Sequence, residues 1–132
     1  MATLFLSLDE IVAIHAEMIR RYGGSTGIRD LGLLEAAAAM PEASFGGQYL
    51  HDGLPAMAAA YLFHLVSNHP FIDGNKRVGA AAADVFLGMH GCHLGASQDE
   101  YAAFVLAVAA GQTGKEAAVT FFHRHTRCEE PQ

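Results

Sequence analysis

The sequence has little of what marks secreted, membrane-spanning or disulfide-rich proteins. It contains only two cysteines in 132 residues, Cys92 and Cys128, and they do not form a Cys-x-x-Cys pair. No secretory signal precedes the domain. No apolar run reaches the roughly 18–20 residues that span a bilayer. These absences predict a cytoplasmic protein with reduced thiols and no membrane segment.

Positive charge is also scarce. Eight lysines and arginines stand against 14 aspartates and glutamates, which gives a formal net charge of −6. The basic residues are scattered, and this distribution argues against direct nucleic-acid binding. The adjacent pair Lys76 and Arg77 forms a local basic spot in an acidic chain, and this spot suits a small anion.

The remaining composition predicts one all-α domain over residues 1–132, with residues 129–132 as a frayed tail. Hydrophobic residues make up 52% of the chain, and there are only four prolines. Apolar spacing and capping signals predict six helices. Their expected ranges are 8–22, 31–40, 54–68, 75–89, about 98–110 and about 115–127. Capping boxes are expected at Ser7–Glu10, Ser97–Glu100 and Thr113–Glu116. Residues 42–53 are expected to form an irregular excursion or a short hairpin that could cover a site.

Polar residues concentrate in the loop between the third and fourth predicted helices. The first-turn amides of a helix lack intrahelical partners and, with the helix dipole, bind anions. Gly74 lets the backbone approach a ligand. Asn75 can donate a hydrogen bond, while Lys76 and Arg77 add positive charge. The loop therefore predicts a site for a phosphate chain.

Three further residues complete this predicted site. Asp73 places a carboxylate beside the anion, which a bridging Mg²⁺ would reconcile. His69 could take a proton from an incoming hydroxyl group. Phe71 is expected to anchor the loop in the core.

The nine residues from His69 to Arg77, His-Pro-Phe-Ile-Asp-Gly-Asn-Lys-Arg, resemble the signature of the Fic/Doc superfamily, and more narrowly of the death-on-curing (Doc) toxins. Residues 21–37, with Gly27, Asp30 and Gly32, resemble the Doc N-terminal region. The resemblance implies a Fic/Doc-type helical bundle with the motif loop between two central helices. It implies His69 as general base, Asp73 as the Mg²⁺ ligand, and ATP bound by residues 74–77, which are Gly74, Asn75, Lys76 and Arg77.

Two departures from the AMP-transferring Fic pattern indicate the reaction. Lys76 stands where that pattern has a second glycine, and Ala80 where it has a second arginine. Doc-type members share the lysine, which implies transfer of the γ-phosphoryl group of ATP to a threonine of elongation factor Tu, and thus a toxin that inhibits translation. Gly74, however, matches the AMP-transferring pattern. The alternatives are an AMP transferase and a non-catalytic, antitoxin-binding module that acts in repression.

Other candidates are weaker. His15 and His64 are expected to be packed core residues, and His51-Asp52 a surface loop. The histidines near Cys92 and Cys128 show no standard zinc-ligand spacing. The inhibitory Ser/Thr-x-x-x-Glu helix of the superfamily is matched only by residues 126–130, where Pro131 follows. The missing internal inhibitor implies an antitoxin of the Phd type supplied by another chain.

Overall fold

A computed structural model describes residues 2–129. Six α-helices and four short strands follow one another along the chain. They are α1 (Leu8–Tyr22), α2 (Leu31–Ala39), β1 (Ser44–Phe45), β2 (Gln48–Tyr49), α3 (Leu54–Asn68), α4 (Asn75–Gly88), β3 (Cys92–Leu94), α5 (Gln98–Ala109), α6 (Lys115–His125) and β4 (Thr126–Cys128). The predicted all-α fold class is confirmed, because the strands form only two short two-stranded sheets, the β1–β2 hairpin and the β3–β4 pair.

Helix α3 lies at the centre of the domain. Its residues from Ala56 to Leu62 are all buried, and α2, α4, α5 and α6 pack around it. The closest neighbour is α4, which approaches α3 at Gly79. A Cβ atom at Gly79 would lie 2.7 Å from Cγ2 of Val66. The small residue therefore allows the two helices that flank the motif loop to pack tightly.

Local capping signals explain where three of the six described helices begin. Ser7 and Glu10 form a capping box at α1, and Ser97 and Glu100 form another at α5. The side chain of Asp30 accepts a hydrogen bond from the backbone N–H of Leu33 and caps α2. The expected box at Thr113–Glu116 is wrong, since Gly114 occupies the N-cap of α6 and no side chain caps that helix.

The last helix also ends earlier than expected. It stops at His125, and residues 126–128 form β4, which pairs antiparallel with β3. The register places Cys92 opposite Cys128, and the two are joined by a disulfide. This pairing corrects the expectation of reduced thiols. The cysteines are 36 residues apart, so their spacing in the sequence does not indicate that β3 and β4 pair across the two intervening helices.

The structure also tests three smaller expectations, on the end of α2, the inner face of α4 and the segment 42–53. Helix α2 ends at Ala39, and Met40–Glu42 form a 3₁₀ turn at Pro41. The apolar spacing places Val85 on the inner face of α4, but its side chain is 41% exposed. The predicted hairpin in residues 42–53 is confirmed, because β1 pairs with β2. Within residues 2–129, no helix combines the length and apolarity needed to cross a bilayer. Residues 130–132 of the expected tail lie outside the described part of the chain.

Candidate active site

His69 ends α3 in a left-handed backbone conformation, with φ 53° and ψ 51°. Among the non-glycine residues from 2 to 129, it alone has a positive φ. This conformation costs an L-residue about 1–2 kcal/mol, and helices usually place glycine at such an end. An exposed imidazole held in this conformation marks His69 as a candidate functional residue.

The side chain of Asn75 fixes both the loop and the imidazole ring. Its Oδ1 accepts a hydrogen bond from the backbone N–H of Phe71 at 2.9 Å, and its Nδ2 donates to the carbonyl of Phe71 at 3.0 Å. These two partners set the orientation of the amide. The second Nδ2 hydrogen therefore points to Nδ1 of His69, also at 3.0 Å. In the neutral ring, Nδ1 accepts and the proton lies on Nε2.

A segment missed by the sequence reading braces the motif loop from outside. Residues 24–30, here called the bracing loop, run alongside residues 69–73. The backbone N–H of Ile72 donates to the carbonyl of Gly27 at 3.1 Å, and the N–H groups of Arg29 and Asp30 both donate to the carbonyl of Pro70. Ile28 and Phe71 form an isolated antiparallel bridge. The motif loop is thus held by hydrogen bonds along most of its length.

Asp73 receives two backbone hydrogen bonds. The N–H of Ser25 donates to Oδ2 at 3.1 Å, and the N–H of Gly74 donates to Oδ1 at 2.8 Å. These donors, that of Ser25 first, hold the pKa of Asp73 below its ordinary value. The carboxylate is exposed and ionised at neutral pH. Gly24 leaves the space for this arrangement, because a Cβ there would lie 2.6 Å from Oδ2 of Asp73.

His15 supports the loop from beneath. Its Nε2 donates to the backbone carbonyl of Asp73 at 2.7 Å, and its ring stacks on Phe71 with a centroid distance of 3.8 Å. Both side chains are buried, as predicted. Ile19 and His15 also crowd Gly74, whose φ is 79°. Backbone geometry and the contact with α1 therefore favour glycine at this position.

The N-terminus of α4 opens onto a cavity of about 330 Å³. Gly74 is the N-cap, and no side chain caps the helix. The N–H groups of the first turn, from Asn75 to Arg77, therefore have no acceptor within the helix. Seven of the nine residues from 69 to 77 are among those that line this cavity, together with Val66 and Ala109: His69, Ile72, Asp73, Gly74, Asn75, Lys76 and Arg77. The structure brings all the predicted site residues together.

The two cations at the start of α4 differ in their contacts. Lys76 is exposed and lines both the cavity and an adjacent, more open groove. Arg77 donates weakly to the carbonyl of Gly23 at 3.4 Å, and its guanidinium lies 5.1 Å from the centre of the Tyr22 ring. Arg77 is thus partly held against the end of α1, whereas Lys76 has no ion pair among the described residues 2–129.

The structure gives a different outcome for each of the weaker candidates, which are the histidines outside the motif and the two cysteines. His64 is half-buried and accepts a hydrogen bond from Lys115 at 2.9 Å; burial, and then the charge of Lys115, lower its pKa to about 4. His51 is 7% exposed, so the expectation of a surface loop is wrong for this residue and holds for Asp52. No group of His, Cys, Asp and Glu in residues 2–129 has the arrangement of a metal site. Cys92 and Cys128, for which no zinc-ligand spacing was found, are joined to each other as the disulfide.

Comparison with known proteins gives the same assignment as the motif. Residues 5–87, more than half of the chain, match the model of the Fic/DOC family. The match ends in α4, so α5 and α6 lie outside it. "Toxin Doc" of Mycolicibacterium smegmatis is 45% identical over 78 residues, which are 59% of this chain and 60% of that protein. "Protein kinase doc" of Escherichia phage P1 is 35% identical over 86 residues, which are 65% of this chain and 68% of that protein. With its motif assembled around the open end of α4, the chain belongs to the Fic/DOC family.

Proposed function

We propose that the protein is a Doc-like toxin that transfers the γ-phosphoryl group of ATP to a hydroxyl of a protein target, with elongation factor Tu as the expected target. The observation that carries the proposal is the uncapped N-terminus of α4, which opens on a cavity beside an exposed imidazole. The names of the two relatives, a toxin and a protein kinase, support the same assignment.

The residues at the cavity fit a nucleoside triphosphate with Mg²⁺. The open amides and the dipole of α4 suit phosphate oxygens, and Lys76 can supply a charge to the β and γ phosphates. Asp73 is ionised at neutral pH, is fixed by two backbone N–H groups and lies on the cavity wall, so it would hold the metal ion. Mg²⁺ bound there would neutralise part of the phosphate charge.

His69 would assist the transfer by accepting the hydroxyl proton. The hydroxyl oxygen forms a bond to the γ-phosphorus, the bond from that phosphorus to the β-phosphate oxygen breaks, and ADP leaves. Acceptance at Nε2 requires the neutral tautomer that has its proton on Nδ1. That tautomer gives up the hydrogen bond from Asn75, and an acceptor hydroxyl that donates to Nε2 would stabilise it. Contacts of this kind are often completed only when the substrate is bound.

The proposed phosphate contacts of Asn75 are those of its backbone N–H. Its Oδ1 and one Nδ2 hydrogen are held by the backbone of Phe71, and the other Nδ2 hydrogen points at Nδ1 of His69. The N–H of Gly74 already donates to Asp73, so Gly74 would contribute only by letting the backbone approach the ligand. Lys76 and Arg77 would contribute side-chain charge in addition to their N–H groups. This division of roles places most of the phosphate recognition on the end of the helix.

ATP labelled in turn at the γ and α phosphates tests the proposed reaction. We expect the γ-label to appear on the target, and the intact mass of the target to rise by one phosphoryl group. Lys76 occupies space that a glycine would leave for departing phosphates, and Ala80 offers only a methyl group where a second guanidinium would grip them. The backbone carbonyl of Ala80 is taken by the hydroxyl of Tyr101 at 2.8 Å.

Retention of the α-label would overturn the phosphoryl assignment in favour of AMP transfer. A mock reaction with non-hydrolysable ATP serves as the control, because it should leave the target mass unchanged. Absence of any label, with the target present and ATP bound, would favour the non-catalytic module.

We also propose that an antitoxin of the Phd type binds this protein in trans. The described residues place a groove of about 540 Å³ next to the motif, lined by apolar residues of three helices that include Met18 of α1, Ala81 of α4 and Leu106 of α5. An amphipathic segment that folds on binding would fit such a groove.

Purification from the native host should recover the toxin with a second chain, identified by intact mass. Leu106→Glu should release that chain, whereas Leu4→Glu, a change at an exposed leucine outside the groove lining, should not. Repeated recovery of the free toxin would contradict the proposal.

A further inference from the structure

The C-terminal end of α3 is closed by a side chain from the bracing loop. The last carbonyls of a helix have no intrahelical donors. Here Nε of Arg29 donates to the carbonyl of His69 at 2.6 Å, and its NH2 donates to the carbonyl of Asn68 at 3.0 Å. The backbone N–H of Arg29 also donates to the carbonyl of Pro70 at 2.7 Å. One residue therefore holds three consecutive carbonyls around His69.

These contacts compensate for an unusual helix end. A glycine at the left-handed position would close the helix without steric cost, but it would remove the imidazole. His69 keeps the ring and adopts the left-handed conformation. The planar guanidinium supplies two parallel N–H donors, and its charge lies at the negative end of the α3 dipole.

We propose that Arg29 is a positioning residue that holds the backbone of His69 in the left-handed conformation, and so directs the imidazole ring toward the cavity. Its relevance to catalysis rests on the proposed function. Arg29 is not among the residues that line the cavity at the N-terminus of α4. Its guanidinium is already bound to backbone oxygens, so a phosphate-binding role is not required to explain it.

Two substitutions separate geometry from charge. Arg29→Lys keeps the positive charge but replaces Nε with a methylene group, so the contact to the carbonyl of His69 is lost. Arg29→Gln removes the charge, yet its Nε2 lies at the same point along the side chain as Nε of arginine and can still donate to that carbonyl. A positioning role predicts that the glutamine variant is more active than the lysine variant, whereas a role of charge predicts the opposite order.

The experiment measures kcat and KM for ATP in the transfer reaction, ATP binding by calorimetry, and the backbone ¹³C shifts of His69, which report φ and ψ. For Arg29→Lys we expect a fall in kcat of about 10²-fold, the effect of a misplacement of about 1 Å, with ATP affinity close to wild type. The ¹³C shifts of His69 should leave their left-handed values. Arg124→Lys, a change at an exposed position on α6, is the control and should alter none of these quantities.

The NMR measurement separates failure of this inference from failure of the proposed function. If the wild-type protein transfers nothing to any target, the His69 shifts in the variants still decide whether Arg29 sets the backbone. Unchanged His69 shifts in Arg29→Lys would overturn the proposal, as would a loss of ATP affinity with kcat preserved. Should the lysine variant fail to fold, Arg29→Met, an uncharged side chain without a donor, decides, since the proposal requires its His69 shifts to leave their left-handed values.

Discussion

His69→Ala is expected to lower the rate of transfer to the acceptor hydroxyl by about 10²–10⁴-fold, the range typical of a lost general base. The fold should survive, because the His69 side chain is exposed and its principal contact is the hydrogen bond with Asn75. Affinity for ATP should also remain close to wild type, because the amides of α4 and Lys76 are untouched. Initial rates with γ-labelled ATP and calorimetric ATP binding measure the two quantities separately.

A matched control is available on α6. His123→Ala removes an exposed imidazole far along the chain from the motif and should leave the rate unchanged. Wild-type transfer by His69→Ala would remove His69 from the catalytic role. In cells, growth arrest that persists in the His69→Ala protein would favour a non-catalytic module over an enzyme, since a binding function does not depend on the imidazole.

Local sequence signals were sufficient for much of the fold. The capping residues Ser7, Asp30 and Ser97 act within three residues of the helix starts that they set, so they can be read without knowledge of tertiary structure. Gly74 and Pro70 likewise interrupt the helical pattern where α3 and α4 are separated. The expected box at Thr113 failed although Thr113 and Glu116 have the Ser/Thr-x-x-Glu spacing of the other two boxes, because the backbone places Gly114 at the N-cap of α6.

The contacts that shape the site could not be predicted from local sequence signals. Arg29 and His69 are 40 residues apart, and Ser25 and Asp73 are 48 apart. Nothing in their spacing indicates that the bracing loop lies beside the motif loop. His15 was correctly expected to be buried, but its hydrogen bond to the carbonyl of Asp73 depends on how α1 packs against α4. Long-range hydrogen bonds of this kind follow from the assembled fold.

Asn75 is the residue whose role changes most between the motif and the structure. The motif suggested a side chain that donates to phosphate. In the structure, Asn75 is 4% exposed and its side chain makes three hydrogen bonds, two of them to the backbone of Phe71. Phe71 is itself buried. The asparagine therefore replaces the backbone partners that the turn between α3 and α4 cannot provide.

Asn75→Ala is accordingly expected to lower the free energy of unfolding by about 2–4 kcal/mol, because the buried N–H and carbonyl of Phe71 each lose a partner at about 1–3 kcal/mol, partly offset by rearrangement. Urea denaturation followed by circular dichroism measures this change.

Asn68→Ala is the control: that half-buried asparagine makes one side-chain hydrogen bond, to the carbonyl of Leu33 at 3.2 Å, so its loss should cost about 1 kcal/mol. A side chain that served only to bind phosphate would give a different pattern, with stability near wild type and ATP affinity reduced. Equal stability of Asn75→Ala and the wild type would therefore contradict the structural role and return Asn75 to the phosphate site. If the loss of unfolding free energy is larger for Asn75→Ala than for Asn68→Ala, as expected, the motif asparagine serves to build the loop. The open amides of α4 are then left to receive the phosphates.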